Sequence, residues 1–246
     1  MLEGIHLSSV LFIDLETVSS YATFAEMPER LKGHWKKKCR FLLRLAPGEE
    51  AEEDLIAATY EQKAAIYSEF GKIVCISIGY IHGTTKDLRL KSFCGSDEKP
   101  MLSNFIDLIN QHYNNSAKHR ICGHNIREFD IPYLCRRILI NGLELPAILH
   151  LAGKKPWETK HLVDTMQLWK FGDIKNFTSL DLLAFVLGVE TPKDDIDGSQ
   201  VGKVYWEDQD LPRIARYCEK DVVTVAQVML RMRGLPLITH DHIISV

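Results

Sequence analysis

The stretch VLFIDLET at 10–17 constrains this chain more than any other. Its apolar run reads as a strand over 9–15, and residues two apart on a strand point to the same face. Asp14 and Glu16 therefore project together from one edge of a sheet. Two further stretches supply matching groups, GHNIREFD at 123–130 and RYCEKD at 216–221. The run Leu211 to Arg233 has helical periodicity, so Tyr217 and Asp221, four residues apart, share a helix face. Asp130 stands at the head of the helical stretch Ile131 to Ile140, just after a strand-like Arg120 to Gly123. A lone Asp-x-Glu arises by chance roughly once in a chain of this length. The order and placement of all three stretches carry the weight. Four carboxylates without a soft ligand among them select hard divalent cations, Mg²⁺ or Mn²⁺, over zinc.

With those residues in view, the chain resembles the DnaQ-like, or DEDD, 3′-to-5′ exonucleases with the tyrosine form of the third motif. Within them it is similar to the stand-alone predicted exonucleases related to the proofreading domain of family B DNA polymerases. Matching stretches include FGKIVCISIGY at 70–80, HLVDT at 161–165 and SLDLLAFVLG at 179–188. Arg216 occupies the position where the histidine form of the superfamily carries its His, so the tyrosine form is the match. The resemblance implies a ribonuclease H-like α/β fold, a mixed five-stranded sheet flanked by helices with a helical insertion after the first strand. It also implies that Asp14, Glu16, Asp130 and Asp221 hold two divalent cations and that Tyr217 orients the attacking water. Thr17, Asn125 and Phe129 match positions that support the second carboxylate or meet the substrate. The implied reaction is hydrolysis of single-stranded DNA from its 3′ end, releasing nucleoside 5′-monophosphates. Two alternatives stand beside it: an exoribonuclease, and a catalytically silent nucleic-acid-binding subunit. The presence of all four acids and the tyrosine argues against silence.

Length and composition are those of an ordinary globular protein. The 246 residues suit one domain spanning 1–246 with an insertion at about 19–69, and 46% hydrophobic residues can fill a sizeable core. The six cysteines include no Cys-x-x-Cys pair and several lie in apolar runs, which reads as reduced core thiols in a cytoplasmic protein. No stretch reaches the ~18 to 20 apolar residues of a membrane span, and the amino terminus lacks the pattern of a secretory signal. Asn176-Phe177-Thr178 fits the glycosylation pattern only formally. A net charge of −3 is not that of a non-specific nucleic-acid binder, but bound cations invert the sign of an acidic centre. No polymerase domain fits beside the exonuclease, so any polymerase or repair partner would act in trans.

Strands are expected at 9–15, 72–81, 87–94, 119–123 and 160–164, and helices at 98–113, 130–141, 179–187 and 210–233. Three strands in succession, then strands alternating with helices, imply a mixed sheet with helices on its faces. The insertion reads as two helices split at Pro47-Gly48. From Arg30 to Arg44 it carries seven basic residues and no acid, interleaved with Trp35 and Phe41. One reading is a phosphate-tracking arm with an aromatic for a base to stack on. The other is a pair of amphipathic helices whose charged faces are solvated or pair with each other. The ten histidines show no metal-ligand spacing, and His124 stands out only because it adjoins Asn125. Asp164 reads as a cap for the helix beginning at Thr165, and Asp194, Asp195 and Asp197 before Gly198 as a solvated turn. Residues 234–246 leave open whether the tail docks on the fold or on a partner.

Overall fold

The computed structural model describes residues 4–46, 48–174, 177–191 and 196–246. Pro47, Asn176, Asp194 and Asp195 lie outside the described residues. The sheet has six strands in the order β5-β4-β1-β2-β3-β6. Strands β1 (Val10–Ser19), β2 (Gly71–Ile81) and β3 (Leu88–Cys94) form an antiparallel meander. Strands β4 (Arg120–Gly123) and β5 (Leu162–Asp164) add in parallel on the β1 side. This is the mixed sheet expected from the order of elements, enlarged by one strand. The sixth, β6 (Ile243–Ser245), comes from the tail and pairs in parallel with β3. The tail therefore docks on the fold, and Gln227 holds it by accepting from Ile238 N–H and donating to Ile238 O.

Strand β1 runs four residues past the expected end, because β2 is long enough to pair with it down to Ser19 opposite Gly71. Val74 is the extra residue of a bulge, since Glu16 faces Cys75 while Thr17 faces Ile73. Such an insertion twists the ladder locally. Alternation along β1 sorts its side chains. Leu11, Ile13 and Leu15 enter a core with Ile76, Ile78 and the apolar faces of two helices, α3 (Glu98–His112) and α4 (Asp130–Ile140). Val10 and Phe12 pack on the opposite side against Val222, Val225, Ala226 and Met229 of the long helix Leu211–Met232.

The insertion folds as α1 (Glu29–Leu42) and α2 (Glu53–Lys63) around a small core of its own, with Phe24, Trp35, Cys39, Tyr60 and Phe70. Trp35 is fully buried and its indole N–H donates to Ile56 O at 3.3 Å, so it is no platform for a base. Phe41 is 81% exposed. Part of the basic run is engaged internally: Lys32 pairs with Glu29, Lys36 lies 3.6 Å from Glu53, and Lys38 sits over the Tyr67 ring. A buried ion pair of the main body, Arg137 with Glu98, holds the insertion through the Arg137 hydrogen bond to Ser68 O. Glu98 accepts from the Arg137 guanidinium at 2.9 Å and from Ile73 N–H at 2.7 Å, while Arg137 also donates to Ser68 O.

Three shorter helical pieces follow β5: α5 (Thr165–Trp169), α6 (Leu180–Val186) and α7 (Val201–Lys203). A π turn over Val204–Asp208 leads into the long helix, α8. Asp210 caps α8 through Arg213 N–H, and Pro212 sits in its first turn, where a missing N–H costs nothing. Helix α5, five residues long, escapes periodicity reading. Among the described residues no helix is long and apolar enough to cross a membrane.

Candidate active site

Asp14 and Glu16 both face α8, because they alternate with Leu15 on a continuous strand. Helix α8 answers with Tyr217, Cys218 and Asp221 on the turns nearest to them. The Cys218 sulfur lies 3.4 Å from both the carbonyl and a carboxylate oxygen of Asp14. One donor atom each from Asp14, Glu16 and Cys218 falls within 4.8 Å of the others, a grouping able to hold a cation. Asp221, one turn beyond Tyr217, adds a negative charge that acts on Asp14, Glu16 and Asp130.

Asp130 arrives from the other direction. Strand β4 pairs with β1 only as far as Phe12, leaving the next part of that edge open. Gly123 makes the close approach there, since a Cβ on it would stand 2.8 Å from Ile13 O. The chain then turns into α4, whose first residue, Asp130, accepts a hydrogen bond from Leu15 N–H on β1. The structure thus gathers Asp14, Glu16, Asp130 and Asp221 from three elements around the middle of β1.

The electrostatics are one-sided. Asp130 is 4% exposed and Glu16 7%. Burial raises the pKa of Asp14 and Glu16 well above the carboxylate range, and Cys218, Asp221 and Asp130 raise both further. Burial likewise pushes Asp130 up to about 7, helped by Asp164 and Asp221 and opposed by backbone N–H bonds. Every charged neighbour acting on Asp14 is of its own sign. Clustered carboxylates of this kind are relieved by protons or by cations. The donor set, carboxylate oxygens gathered around an inner strand of the sheet, fits hard divalent ions. Cys218 adds a soft donor that the sequence reading did not place there.

The remaining expected residues divide. Tyr217 is half-buried on the site side of α8, packed with Val201, Val204 and Ile214, and a side chain at Gly198 would come within 3.9 Å of its hydroxyl. Thr17 faces the opposite side of the sheet, where its hydroxyl bonds the Tyr133 phenol, so it does not join the acid cluster. Phe129 is half-buried against Tyr133, ring centroids 5.5 Å apart. Asn125 adopts φ 62°, a left-handed conformation Asn tolerates. Its side-chain carbonyl is buried without a hydrogen-bond partner among the described residues.

The left-handed turn is held by Asp164. That carboxylate, 2% exposed, accepts from the N–H groups of Asn125, Arg127, Met166 and Gln167 at 3.0 to 3.3 Å. The expected cap is present, together with a second duty that depends on tertiary contact. Arg127 reinforces the turn through Leu162 O and Thr159 O. Both ring nitrogens of His124 are occupied, by Thr165 and Thr178 O, and burial lowers its pKa. His124 is thus a neutral bridge behind the site. The backs of Asp14 and Glu16 are lined by cross-strand rows that no motif announces. Asp14 stands opposite Ser77, which bonds Ser92 at 2.8 Å, and Ser92 donates to Glu219 of α8. Glu16 stands opposite Cys75, which pairs with Cys94.

Residues 65–237 match the family described as "Predicted 3'-5' exonuclease related to the exonuclease domain of PolB". That span holds Asp130, Tyr217 and Asp221 and begins after Asp14 and Glu16. Among solved structures the chain is similar to the family B DNA polymerase from the hyperthermophilic archaeon Pyrobaculum calidifontis, with a TM-score of 0.52 and 17% identity. The likeness covers 91% of this chain and 24% of the polymerase, so the chain spans about a quarter of that protein. At this identity the likeness is one of fold, and the fold is ribonuclease H-like. No curated protein matches the sequence.

Proposed function

The chain belongs to the family of predicted 3′-5′ exonucleases related to the exonuclease domain of PolB, and on that footing we propose that it shortens single-stranded DNA from the 3′ end with two divalent cations, Mg²⁺ or Mn²⁺. The observation that carries this reading is the convergence of four acids, in which, on top of burial, Asp221, Glu16 and Asp130 raise the pKa of Asp14, and Asp221 and Asp130 raise that of Glu16. Without cations such a cluster retains protons at neutral pH, and divalent ions would take their place.

Asp14 and Glu16 on β1, Asp130 on α4 and Asp221 on α8 would hold the ions. When bound, divalent cations supply Lewis acidity to the attacking water and to the leaving oxygen of an in-line displacement. The water oxygen bonds to phosphorus, the bond from phosphorus to the 3′ oxygen breaks, and that oxygen takes up a proton. The products are a nucleoside 5′-monophosphate and a strand one residue shorter with a free 3′ hydroxyl. Tyr217 does not act as the base, since an unperturbed phenol has a pKa of about 10. Its hydroxyl, carried one turn before Asp221, orients the water. Asn125 and Phe129, on the turn behind Asp130, support the second carboxylate and the terminal nucleotide. We assign residues 1–246 to one exonuclease domain with the insertion at about 19–69, acting in the cytoplasm, with a polymerase or repair enzyme as the partner to test.

The test is degradation of a 5′-labelled single-stranded DNA, a matched RNA and a 3′-blocked DNA, in Mn²⁺ or in EDTA. A metal-dependent ladder that shortens from the free 3′ end of DNA is expected. Faster loss of the RNA would move the substrate to RNA, and binding without cleavage in every metal would leave a silent binding subunit.

A further inference from the structure

Three thiols, Cys94, Cys75 and Cys218, lie in successive contact beside the acid cluster. Cys75 and Cys94 are directly opposite each other on β2 and β3, and their sulfurs are 2.6 Å apart. The ladder explains the closeness. Gly95 N–H donates to Val74 O, so Val74 and Gly95 form the hydrogen-bonded pair and Cys75 with Cys94 the neighbouring non-hydrogen-bonded one. That pairing brings Cα atoms to about 4.5 Å, inside the range a disulfide spans. Cys75 is fully buried, whereas Cys94 is half-buried at the end of its strand. The hydrogen bond between the two thiols lowers the pKa of Cys94, so the reachable sulfur is also the more readily ionised one. On its other flank Cys75 stands opposite Glu16 and bonds to Cys218, whose sulfur touches Asp14.

We propose that Cys75 and Cys94 form a reversible disulfide that loosens the divalent-cation site through Glu16 and Cys218. With a low-molecular-weight disulfide as oxidant, the Cys94 thiolate attacks one of its sulfurs and expels a thiol. Cys75 then attacks Cys94 in the mixed disulfide and expels the second. Two protons leave, and two electrons pass from the pair to the reagent, which ends as two thiols. The bond draws the Cys75 sulfur toward β3 and removes the hydrogen bond it makes to Cys218. Asp14 then loses part of what orients it. Partners that orient metal-binding groups are worth about 10- to 100-fold in metal affinity, so the oxidised protein should bind Mn²⁺ at least about tenfold more weakly.

The cation effect rests on the proposed function, whereas formation of the bond does not, and the experiment separates them. The folded chain is equilibrated with glutathione disulfide, alkylated and mapped by mass spectrometry, and Mn²⁺ affinity is measured by titration calorimetry on the reduced and oxidised forms. A peptide joining residues 75 and 94, lighter by two hydrogens and released by dithiothreitol, is expected, with the affinity loss alongside. Cys94→Ser should keep a Mn²⁺ affinity that oxidant does not change, and Cys94→Ala serves if the serine variant fails to fold. Free thiols at both positions under oxidant that modifies half-buried Cys135, or a Cys75–Cys218 link instead, would overturn the pair. Equal Mn²⁺ affinity in both forms would overturn its hold on the site. A reduced protein that binds no Mn²⁺ would instead remove the proposed function and leave the disulfide standing.

Discussion

Asp164, which braces the turn after β4 from the end of β5, and Asp130, which closes that turn at the head of α4, are buried almost equally, at 2% and 4% exposure, yet the fold treats them in opposite ways. Asp164 is surrounded by four backbone N–H donors that leave its charge well solvated by the protein. Asp130 has N–H bonds too, but Asp164 and Asp221 press on it and burial dominates, so its pKa climbs to about 7. Glu98, also buried, is answered by Arg137. A buried carboxylate that the protein satisfies serves the structure. One that the protein leaves facing its own kind is held at a cost, and that cost makes sense where a cation completes the group.

The largest expected effect breaks the comparison from the functional side. Asp14→Ala should lower the rate of strand shortening by about 10³-fold, the loss of several kcal/mol of cation-borne stabilisation at 1.36 kcal/mol per tenfold. The same change should leave the melting temperature of the metal-free chain unchanged or higher, because it removes a like charge from the cluster. A fall in stability together with an intact rate would show Asp14 to be structural.

Asp164→Ala should do the reverse. It strands four N–H groups, two of them at the start of α5 and two in the Asn125 turn, and an unsatisfied buried donor costs roughly 1 to 3 kcal/mol. The expected loss is about 3 kcal/mol in denaturant unfolding. Activity should fall only as the folded fraction falls and should return at low temperature. Activity lost in a fully folded variant would move Asp164 into the reaction.

The difference between these two aspartates is where sequence reading succeeded and where it had to stop. VLFIDLET announced a strand with two acids on one face because alternation is local, and Tyr217 with Asp221 followed from helical spacing alone. The split of the insertion into two helices was legible in the Pro47-Gly48 pair. Trp35 was not, since its burial depends on α2 folding back over α1. The end of β1 at Ser19 is set by the length of β2. The rows from Glu16 to Cys75 to Cys94 and from Asp14 to Ser77 to Ser92 depend on strand register across distant segments, which no motif encodes. Strand β6 and helix α5 are too short for any periodicity to show. Cys218 was visible inside RYCEKD, but the tyrosine and aspartate beside it held the motif's chemistry, and only the approach of α8 to Asp14 gave the thiol a place.

Tyr217→Phe sharpens the contrast within the site. It removes one hydroxyl from a side chain that otherwise keeps its packing with Val201, Val204 and Ile214. If that hydroxyl orients water, kcat should fall about 10- to 100-fold, about 1.4 to 2.7 kcal/mol. Mn²⁺ affinity should remain that of the parent, since the four acids are untouched. A variant with the parent's kcat would reduce Tyr217 to packing, and one with weakened Mn²⁺ binding would make the phenol part of the cation site.

The smallest effect tests the electrostatic half of the comparison directly. In the unfolded chain Asp130 has a pKa near ~3.9, and in the folded metal-free chain about 7. A raised acid binds more protons folded than unfolded, so its contribution to stability is greatest at low pH and is lost as pH rises toward 7. Between pH 6 and pH 7 that one group should supply about 1 kcal/mol of slope. Asp14 and Glu16, also raised, add to it in the same direction. His124 and His161 work against it, because burial lowers their pKa and acid would charge them inside the fold. The comparison that isolates the acid is therefore Asp130→Asn against the parent, melted in EDTA from pH 8 to pH 6. The parent should gain stability on acidification relative to the variant, and saturating Mn²⁺ should erase the difference, because a cation takes the place of the proton. If parent and variant melt in parallel across the whole range, Asp130 is as well satisfied as Asp164, and the distinction drawn between them is wrong.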